Sequence, residues 1–435
     1  MRILLVSANI SVGRPVFPLG LAYLAGSLRK MGHEIRGLDL PFHKEHKETL
    51  KKTIAEFCPQ AIGISVRNVD NQHYSSPVSF LPGVRSVVEV CQESSPQAKI
   101  IVGGSGFSIM PEQLLDYLGV DLGIVGEGET AITDLVQAIE QGSNCGDIPG
   151  VVVRREGRTK LAKPRRMEDM DSLELPNRGI FEPKKYLQAS VVLNVRTKRG
   201  CPFRCIYCTT PQIEGNKMRI ITPQKVVDEL EILKKVYGAS EFYFTDNIFN
   251  YPTKHAESIC EEIISRGLDI RWHCIANPCS LSNDLLRLMK EAGCYGLSLG
   301  NESGSPQMLK NLRKPFTVEQ VSQSCLYCRE LGINYTCFLL LGGPGENRKT
   351  VEESISTMER LKPDSLGINI GIRIYPNTEL ARMARDEGIL DAHADLLPPT
   401  FYLSREIEDW IFDYIKEVGE RNGWRFPVRA GMDAS

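Results

Sequence analysis

Short apolar runs alternate with helix-like patterns through the first third of the chain. The apolar runs predict buried strands at 3–6, 35–38, 61–66, 100–102 and 122–125. Between them, apolar residues recur at helical spacing, as in Leu21, Leu24, Ala25 and Leu28, and further helices are predicted near 45–57, 84–92 and 111–117. This alternation predicts an α/β fold in which residues 1–145 form a doubly wound, flavodoxin-like parallel sheet.

The alternation of strands and helices resumes after residue 186. Strands are predicted at 191–195, 241–245, 270–276, 295–299, 335–341 and 366–374. Six strand–helix units predict a partial (β/α)6 barrel over residues 186–385, with its chemistry at the carboxyl ends of the strands. The charged, Pro-punctuated stretch 146–185 is expected to be a linker in which residues 151–153 add an edge strand to the first sheet, and 386–435 is expected to be a short C-terminal helical segment.

Composition restricts the classes of protein that fit this pattern. The chain has 435 residues and a formal net charge of −2, so no global basic field favours nucleic acid. No apolar run approaches the ~20 residues of a membrane span. Thirteen cysteines without an export signal indicate a reducing compartment, and we expect a cytoplasmic protein.

Three cysteines stand close together just after the first predicted barrel strand. Cys201, Cys205 and Cys208 supply three thiolates, enough for three irons of a [4Fe-4S] cluster. A structural zinc site needs a fourth nearby ligand, and an odd number of thiols does not suit disulfides. The other close pair, Cys325 and Cys328, falls in a helical pattern, where we expect core packing.

The cysteine spacing, with Tyr207 before the last cysteine, resembles the radical S-adenosylmethionine (SAM) enzymes. The resemblance implies that SAM chelates the open iron and is cleaved to a 5′-deoxyadenosyl radical. It also implies SAM contacts after three later barrel strands, and the residues expected to make them are Asp246, Asn247, Glu302, Ser303 and Gly343.

The loops at the strand ends of the first sheet predict a binding edge for a large ligand. They contain Ser65, Arg67, Asn68 and Asp70 in the first loop, Gly103 and Gly104 in the second, and Gly126, Glu127 and Gly128 in the third. None is a phosphate loop. Placed before a radical SAM core, the layout resembles the cobalamin-binding domain of cobalamin-dependent radical SAM enzymes, which implies cobalamin as a third cofactor.

One departure from other cobalamin proteins concerns the axial ligand of cobalt. The segment from Asp39 to His43 lacks the DxHxxG motif that carries such a ligand. We therefore expect His43 to be a solvated loop residue and cobalamin to lack a histidine ligand. The loop 67–71 is expected to face that lower side.

The last predicted barrel strand carries candidate substrate contacts. Asn369, Gly371 and Arg373 fall on one face if the strand is continuous, because side chains alternate with a period of two. A guanidinium inside a barrel needs an anion, either from a ligand or from an internal carboxylate. We predict that Arg373 pairs with the substrate or SAM, with Asn369 beside it.

The resemblance implies a methyltransferase acting on an unactivated carbon, or on phosphorus, of a small-molecule or lipid substrate. The alternative is a non-methylating enzyme of the same architecture that performs ring contraction, cyclisation or oxidation. A cobalamin carrier or sensor would not need the three cysteines. The expected partners are the substrate and an electron donor such as flavodoxin or ferredoxin, without nucleic acid.

Overall fold

A computed structural model describes residues 1–10 and 15–424, and these form two compact units. The first unit contains Met1–Asn71, Ser79–Asn194 and Gln212–Gly215, and the second Gln72–Val78, Val195–Pro211 and the chain from Asn216. The end of the expected 386–435 segment, from residue 425, lies outside the described residues. In the described part of the chain, no helix has the length and apolarity to cross a bilayer.

The first unit is built on a seven-stranded sheet. Its strands are β1 (Arg2–Ser7), β2 (Glu34–Asp39), β3 (Ala61–Ser65), β4 (Lys99–Gly103), β5 (Leu122–Ile124), β6 (Val151–Arg155) and β7 (Arg158–Leu161), in the order β2-β1-β3-β4-β5-β6-β7. The first five are parallel, in the order of a flavodoxin-like sheet. Ile3, Leu4, Leu5 and Val6 are all buried, because helices cover both faces of such a sheet.

The helices of this unit lie between its strands or follow them. They are α1 (Leu19–Lys30), α2 (His46–Phe57), α3 (Leu81–Ser94), α4 (Ser105–Ile109), α5 (Pro111–Leu118), α6 (Gly128–Glu140) and α7 (Pro183–Gln188). Short 3-10 turns lie at Leu40–Phe42, Met170–Ser172 and Arg178–Phe181. Strand and helix positions in this region agree with the sequence pattern.

The second unit contains a six-stranded sheet. Its strands are β8 (Leu193–Val195), β11 (Glu241–Phe244), β12 (Arg271–Ala276), β13 (Cys294–Glu302), β14 (Asn334–Leu341) and β15 (Ser365–Ile370), ordered β15-β14-β13-β12-β11-β8. Small antiparallel pairs join β9 (Lys198–Arg199) to β10 (Arg219–Ile220) and β16 (Ile372–Arg373) to β17 (Phe401–Tyr402). Strands β11 to β15 are parallel, as a partial barrel requires.

Helices follow most barrel strands and bury one face of each. They are α8 (Thr210–Ile213), α9 (Pro223–Tyr237), α10 (Thr253–Ser265), α11 (Asn283–Glu291), α12 (Pro306–Asn311), α13 (Val318–Leu331), α14 (Arg348–Leu361), α15 (Glu379–Asp386) and α16 (Ile411–Asn422); a 3-10 turn lies at Pro278–Ser280. Cys325 and Cys328 are buried in α13, so the prediction that this pair packs in the core is confirmed.

Two expectations about chain organisation differ from the structure. The stretch 146–185, expected as a linker with an edge strand at 151–153, contributes that strand as β6 and adds β7, so the first sheet ends in an antiparallel hairpin. The last barrel strand, expected over 366–374, ends at Ile370 because Gly371 adopts a φ of 81°. A left-handed residue interrupts strand alternation, so Arg373 belongs to a different pair of strands from Asn369.

Candidate active site

Cys201, Cys205 and Cys208 lie in one loop after β9, which we call the cysteine loop (residues 200–208). All three thiols are free. Burial, with smaller contributions from the neighbouring Cys208 and Cys205, raises the pKa of Cys201 to about 11, so the three thiols are close enough to influence one another. Iron must displace these protons, which is the usual coupling of metal binding to thiol ionisation.

The cysteine loop is anchored through the backbone of one residue. The amide of Ile206 donates to the carbonyl of Leu312 at 3.3 Å, and its carbonyl accepts from the amide of Leu380 at 2.9 Å. The Ile206 side chain is also buried. Because both backbone groups are fixed by distant segments, the fold itself defines the position of the cysteine loop.

Three polar side chains converge beside the thiols. The hydroxyl of Tyr207 donates to Oε1 of Glu302 at 3.0 Å. Nζ of Lys314 lies 3.3 Å from the Tyr207 hydroxyl and 3.4 Å from Oε1 of Glu302. Burial lowers the pKa of Lys314, but Glu302 and Cys205 outweigh it and the pKa is raised. We call Tyr207, Glu302 and Lys314 the loop triad.

Glu302 occupies an unusual backbone position. Its φ is 61°, in the left-handed region that residues other than glycine seldom adopt. Such conformations persist where surrounding structure enforces them, and they cluster at functional sites. Ser303, predicted beside it as a SAM contact, is buried instead, and its hydroxyl pairs with that of Ser354 on α14 at 2.8 Å. The Ser303 side chain is turned towards α14, and its SAM contact stays a prediction.

Asp246 is another predicted SAM contact; in the structure its carboxylate has partners within the protein, and the SAM contact stays a prediction. Its Oδ1 accepts from the amide of Thr197 at 2.8 Å, and its Oδ2 from the Thr197 hydroxyl at 2.6 Å and from Nζ of Lys198 at 3.1 Å. The carboxylate is fully buried and paired within the protein. Asn247 accepts from the Thr210 hydroxyl at 3.3 Å, and its SAM contact stays a prediction.

The glycine turn after β14 is organised by a buried carboxyl. Oε2 of Glu346 accepts from the amides of Gly342 and Gly343, the latter at 3.1 Å. Burial raises the pKa of Glu346 to about 7, although the two amides oppose the shift. A side chain at Gly343 would lie 3.1 Å from Met308, so the backbone there is tightly packed. The predicted SAM contact at Gly343 therefore falls in a well-defined turn.

Arg373 does not share a face with Asn369. Its guanidinium is buried and donates to the carbonyls of Ile374 at 2.6 Å, Leu396 at 2.8 Å and Thr400 at 3.3 Å. The geometric basis for placing it in the barrel interior is therefore wrong, since the strand breaks before it. Asn369 is exposed near the end of β15 and stays a candidate substrate contact.

In the first unit, the carboxyl ends of neighbouring parallel strands lie side by side in register. Ser7 pairs in register with Asp39 and with Ser65, and Ser65 pairs with Gly103. Burial raises the pKa of Asp39, while Ser7, Tyr186 and the nearby Arg67 oppose the shift. The Tyr186 hydroxyl donates to Oδ2 of Asp39. The sequence did not reveal this pair, whose members lie far apart in the chain.

The predicted cobalamin loops lie along this edge. Gly104 has a φ of 101°, and a Cβ there would lie 2.6 Å from the carbonyl of Val66. Gly126 is held by a 2.9 Å hydrogen bond to the Ser108 hydroxyl, and Oε2 of Glu127 accepts from the amide of Met167 at 3.0 Å. Three predicted contacts remain. Asn68 is half-buried, and Asp70 is buried and forms a β-bridge with Ser79. Gly128 is the first residue of α6.

His43 lies near Asp39 and is partly buried, which lowers its pKa. Its backbone amide donates to the carbonyl of Leu40 at 2.9 Å, closing the 3-10 turn after β2. The absence of a histidine ligand beneath cobalt stays a prediction.

The donor groups present fit the three cofactors. Three free thiols on an anchored loop suit a [4Fe-4S] cluster, in which each thiolate binds a different iron. Within the described residues, no three His, Cys, Asp or Glu side chains converge on a single metal ion. The row of strand ends in the first unit suits a large ligand at the carboxyl edge of a parallel sheet.

Comparison with known proteins agrees with this architecture. Residues 6–136 match the B12 binding domain and residues 195–358 match the radical SAM superfamily. Among curated relatives, an uncharacterized methyltransferase of Pyrococcus horikoshii is 28% identical over 87% of this chain and 81% of its own. Tryptophan 2-C-methyltransferase of Streptomyces laurentii is 25% identical over 86% and 73%. Anaerobic magnesium-protoporphyrin IX monomethyl ester cyclase of Rubrivivax gelatinosus is 27% identical over 84% and 66%.

A solved structure has the same fold over nearly the whole chain. The radical SAM methyltransferase TsrM of Kitasatospora setae superposes with a TM-score of 0.87 at 23% identity, covering 99% of this chain and 92% of its own.

The fold and cysteine loop define a radical SAM enzyme. With a B12 binding domain ahead of the radical SAM domain, the chain belongs to the cobalamin-dependent radical SAM enzymes, and its cofactors are SAM, a [4Fe-4S] cluster and cobalamin.

Proposed function

We propose that this protein is a methyltransferase acting on an unactivated carbon, or on phosphorus, of a small-molecule or lipid substrate. The observation that carries the proposal is the B12 binding domain placed before the cysteine loop. When bound, SAM and cobalamin supply a methyl group and a radical, and these support reactions that side chains alone do not perform. Two of the relatives carry methyltransferase names.

The chain's own residues bind and orient these groups. Cys201, Cys205 and Cys208 hold the cluster, and the loop triad places a cation beside the thiolates. The strand-end loops of the first unit, from Ser65 to Asp70 and at Gly103, Gly104 and 126–128, hold cobalamin. An electron donor such as flavodoxin or ferredoxin supplies reducing equivalents.

The second candidate is a non-methylating reaction such as cyclisation. A cyclase relative at 27% identity favours it. Because both candidates use the same cofactors, cofactor content does not distinguish them. The products formed from SAM do.

The test uses reconstituted enzyme, SAM deuterated in its methyl group, a chemical reductant and a substrate panel that begins with tryptophan. Methyl transfer that uses one SAM molecule as the methyl donor and another as the source of the radical consumes two SAM molecules per product. We expect equal amounts of S-adenosylhomocysteine and 5′-deoxyadenosine and a deuterated product. Sustained 5′-deoxyadenosine without S-adenosylhomocysteine, together with an unmethylated product, would establish the second candidate instead.

A further inference from the structure

Alternation along the barrel strands divides the side chains of the second sheet between a face that is buried and an opposite face that is more exposed. On β11 and β12, Phe242, Phe244, Trp272 and Cys274 are buried against the helices. The intervening side chains, including Tyr243 and His273, lie on the opposite face and are half-buried. We call this the inner face.

A histidine and two tyrosines form a cluster at the start of the inner face. His273 pairs in register with Tyr243 on β11 and Gly296 on β13. The Tyr243 ring stacks on the imidazole with centroids 4.5 Å apart and planes at 23°. The hydroxyl of Tyr295 lies 3.0 Å from Nδ1 of His273. The glycine at 296 leaves the space beside the imidazole free of a side chain.

The cluster leaves one ring nitrogen for a ligand. Tyr295 occupies Nδ1, and within the described residues Nε2 of His273 makes no hydrogen bond. Burial lowers the pKa of His273, although Glu241 opposes the shift, so the imidazole is neutral near pH 7. Arg271 lies over the Tyr295 ring at 4.7 Å, so the charges of Glu241 and Arg271 offset each other near the cluster.

On β14 and β15 the inner face carries Phe338 and Gly367, with the exposed Asn369 two residues further along β15. Phe338 on β14 pairs in register with Gly367, and a Cβ at Gly367 would lie 2.7 Å from its ring. Phe338 is 40% exposed, although its strand neighbours Cys337 and Leu339 are buried. An exposed aromatic ring beside glycine provides a flat apolar surface.

The cluster lies far from the cysteine loop along β13. Glu302, which bonds Tyr207 in that loop, stands six residues after Gly296. At about 3.3 Å per residue, and allowing for the irregular register of β13, the separation is roughly 15–20 Å. A group bound at His273 is therefore remote from the reacting carbon.

We propose that Nε2 of His273, stacked on Tyr243 and fixed by Tyr295, binds a neutral hydroxyl group at the far end of the substrate. The substrate class is an elongated, uncharged and largely apolar molecule whose hydroxyl is remote from the carbon that reacts. A hydroxyl both donates and accepts, so it pairs with either tautomer of His273. The substrate assignment rests on the proposed function, whereas the binding of a hydroxyl at His273 does not.

The test uses a matched pair of neutral probes on the holoenzyme with its cluster oxidised. 2-Naphthol carries a hydroxyl, and 2-methylnaphthalene replaces it with a methyl group of similar size. Binding is followed by the 15N resonances of labelled histidines, with the His273 signals identified by their loss in His273→Phe. Since a neutral hydrogen bond contributes little net free energy, we expect 2-naphthol to bind about threefold to tenfold more tightly.

We expect 2-naphthol to shift the Nε2 resonance of His273, and His273→Phe to abolish the preference for 2-naphthol. Tyr295→Phe, which removes the group that fixes Nδ1, should weaken the preference. The matched control is His393→Phe at an exposed position, which should retain it. Cluster absorbance checks that each variant folds.

Equal affinity for the two probes in the unaltered protein, or a preference that survives His273→Phe, would overturn the inference. A shifted His273 resonance in an enzyme that forms 5′-deoxyadenosine and an unmethylated product without S-adenosylhomocysteine would retain the subsite and reject the proposed function.

Discussion

Lys198 and Asp246 form a fully buried ion pair, with Nζ 3.1 Å from Oδ2, at the carboxyl end of β11. Nζ also donates to the carbonyl of Phe249 at 2.9 Å and lies 5.1 Å from its ring centroid. Buried pairs persist only when their remaining hydrogen bonds are satisfied, and Thr197 completes those of Asp246. The pair therefore fixes the chain that leads from β8 into the cysteine loop.

Removing one partner of this pair should destabilise the second unit. In Asp246→Ala the ammonium of Lys198 stays buried without its counter-charge, which typically costs about 3–5 kcal/mol. We expect a markedly lower thermal midpoint, measured by circular dichroism. The matched control is Asp228→Ala, which breaks an exposed ion pair with Arg266 and should cost less than about 1 kcal/mol. Equal effects of the two substitutions would contradict a structural role for Asp246.

The cysteine loop should account for all of the bound iron. Replacing Cys201, Cys205 and Cys208 with Ala should abolish cluster absorbance after anaerobic reconstitution, because the thiolates are the cluster's protein ligands. Iron and sulfide analysis of the unaltered protein should give about four of each per chain. The control is the double variant of Cys325 and Cys328, which has the same three-residue spacing inside α13 and should keep its iron.

Lys314 should make the cluster easier to reduce. Its ammonium lies beside thiols that become anionic when iron binds, and a nearby cation stabilises the added electron. In Lys314→Met the reduction potential should fall by on the order of 50–100 mV, a shift that matches a partly screened unit charge at several ångströms. Redox titration followed by electron paramagnetic resonance measures it. Lys310→Met, on the exposed side of α12, should leave the potential unchanged.

Glu346 should make stability fall as pH rises. Its pKa is about 7 in the fold against 4.5 unperturbed, so between these values the unfolded chain loses a proton that the fold retains. Raising the pH through this window therefore favours unfolding, by on the order of 3 kcal/mol in all. Glu346→Gln keeps an oxygen for the two amides and lacks this titration. Its stability relative to the unaltered protein should increase from pH 4.5 to 7.5 in denaturant titrations.

A pH-independent difference between Glu346→Gln and the unaltered protein would mean that the Glu346 carboxyl has the same pKa in the folded and unfolded chain, which would contradict the raised pKa. Glu353→Gln, on the partly exposed surface of α14, is the control for removing a carboxyl without burial.

The sequence by itself determined the architecture and the cluster ligands. Both depend on local order: the period of apolar residues defines each strand or helix, and the spacing of Cys201, Cys205 and Cys208 places three thiols on one short loop. Parallel strands then bring the following loops to one edge, as the register of Ser7, Asp39 and Ser65 shows.

Only the tertiary structure decided which polar side chains are available to ligands. Lys314 reaches Tyr207 across 107 residues, and Lys198 reaches Asp246 across 48, and no local pattern encodes either pairing. The positive φ of Gly371 separated Arg373 from Asn369 where the sequence pattern predicted a continuous strand. The physical reason is that charge burial and hydrogen bonding depend on distances between segments remote in sequence, whereas periodicity reports only how each segment presents its own faces.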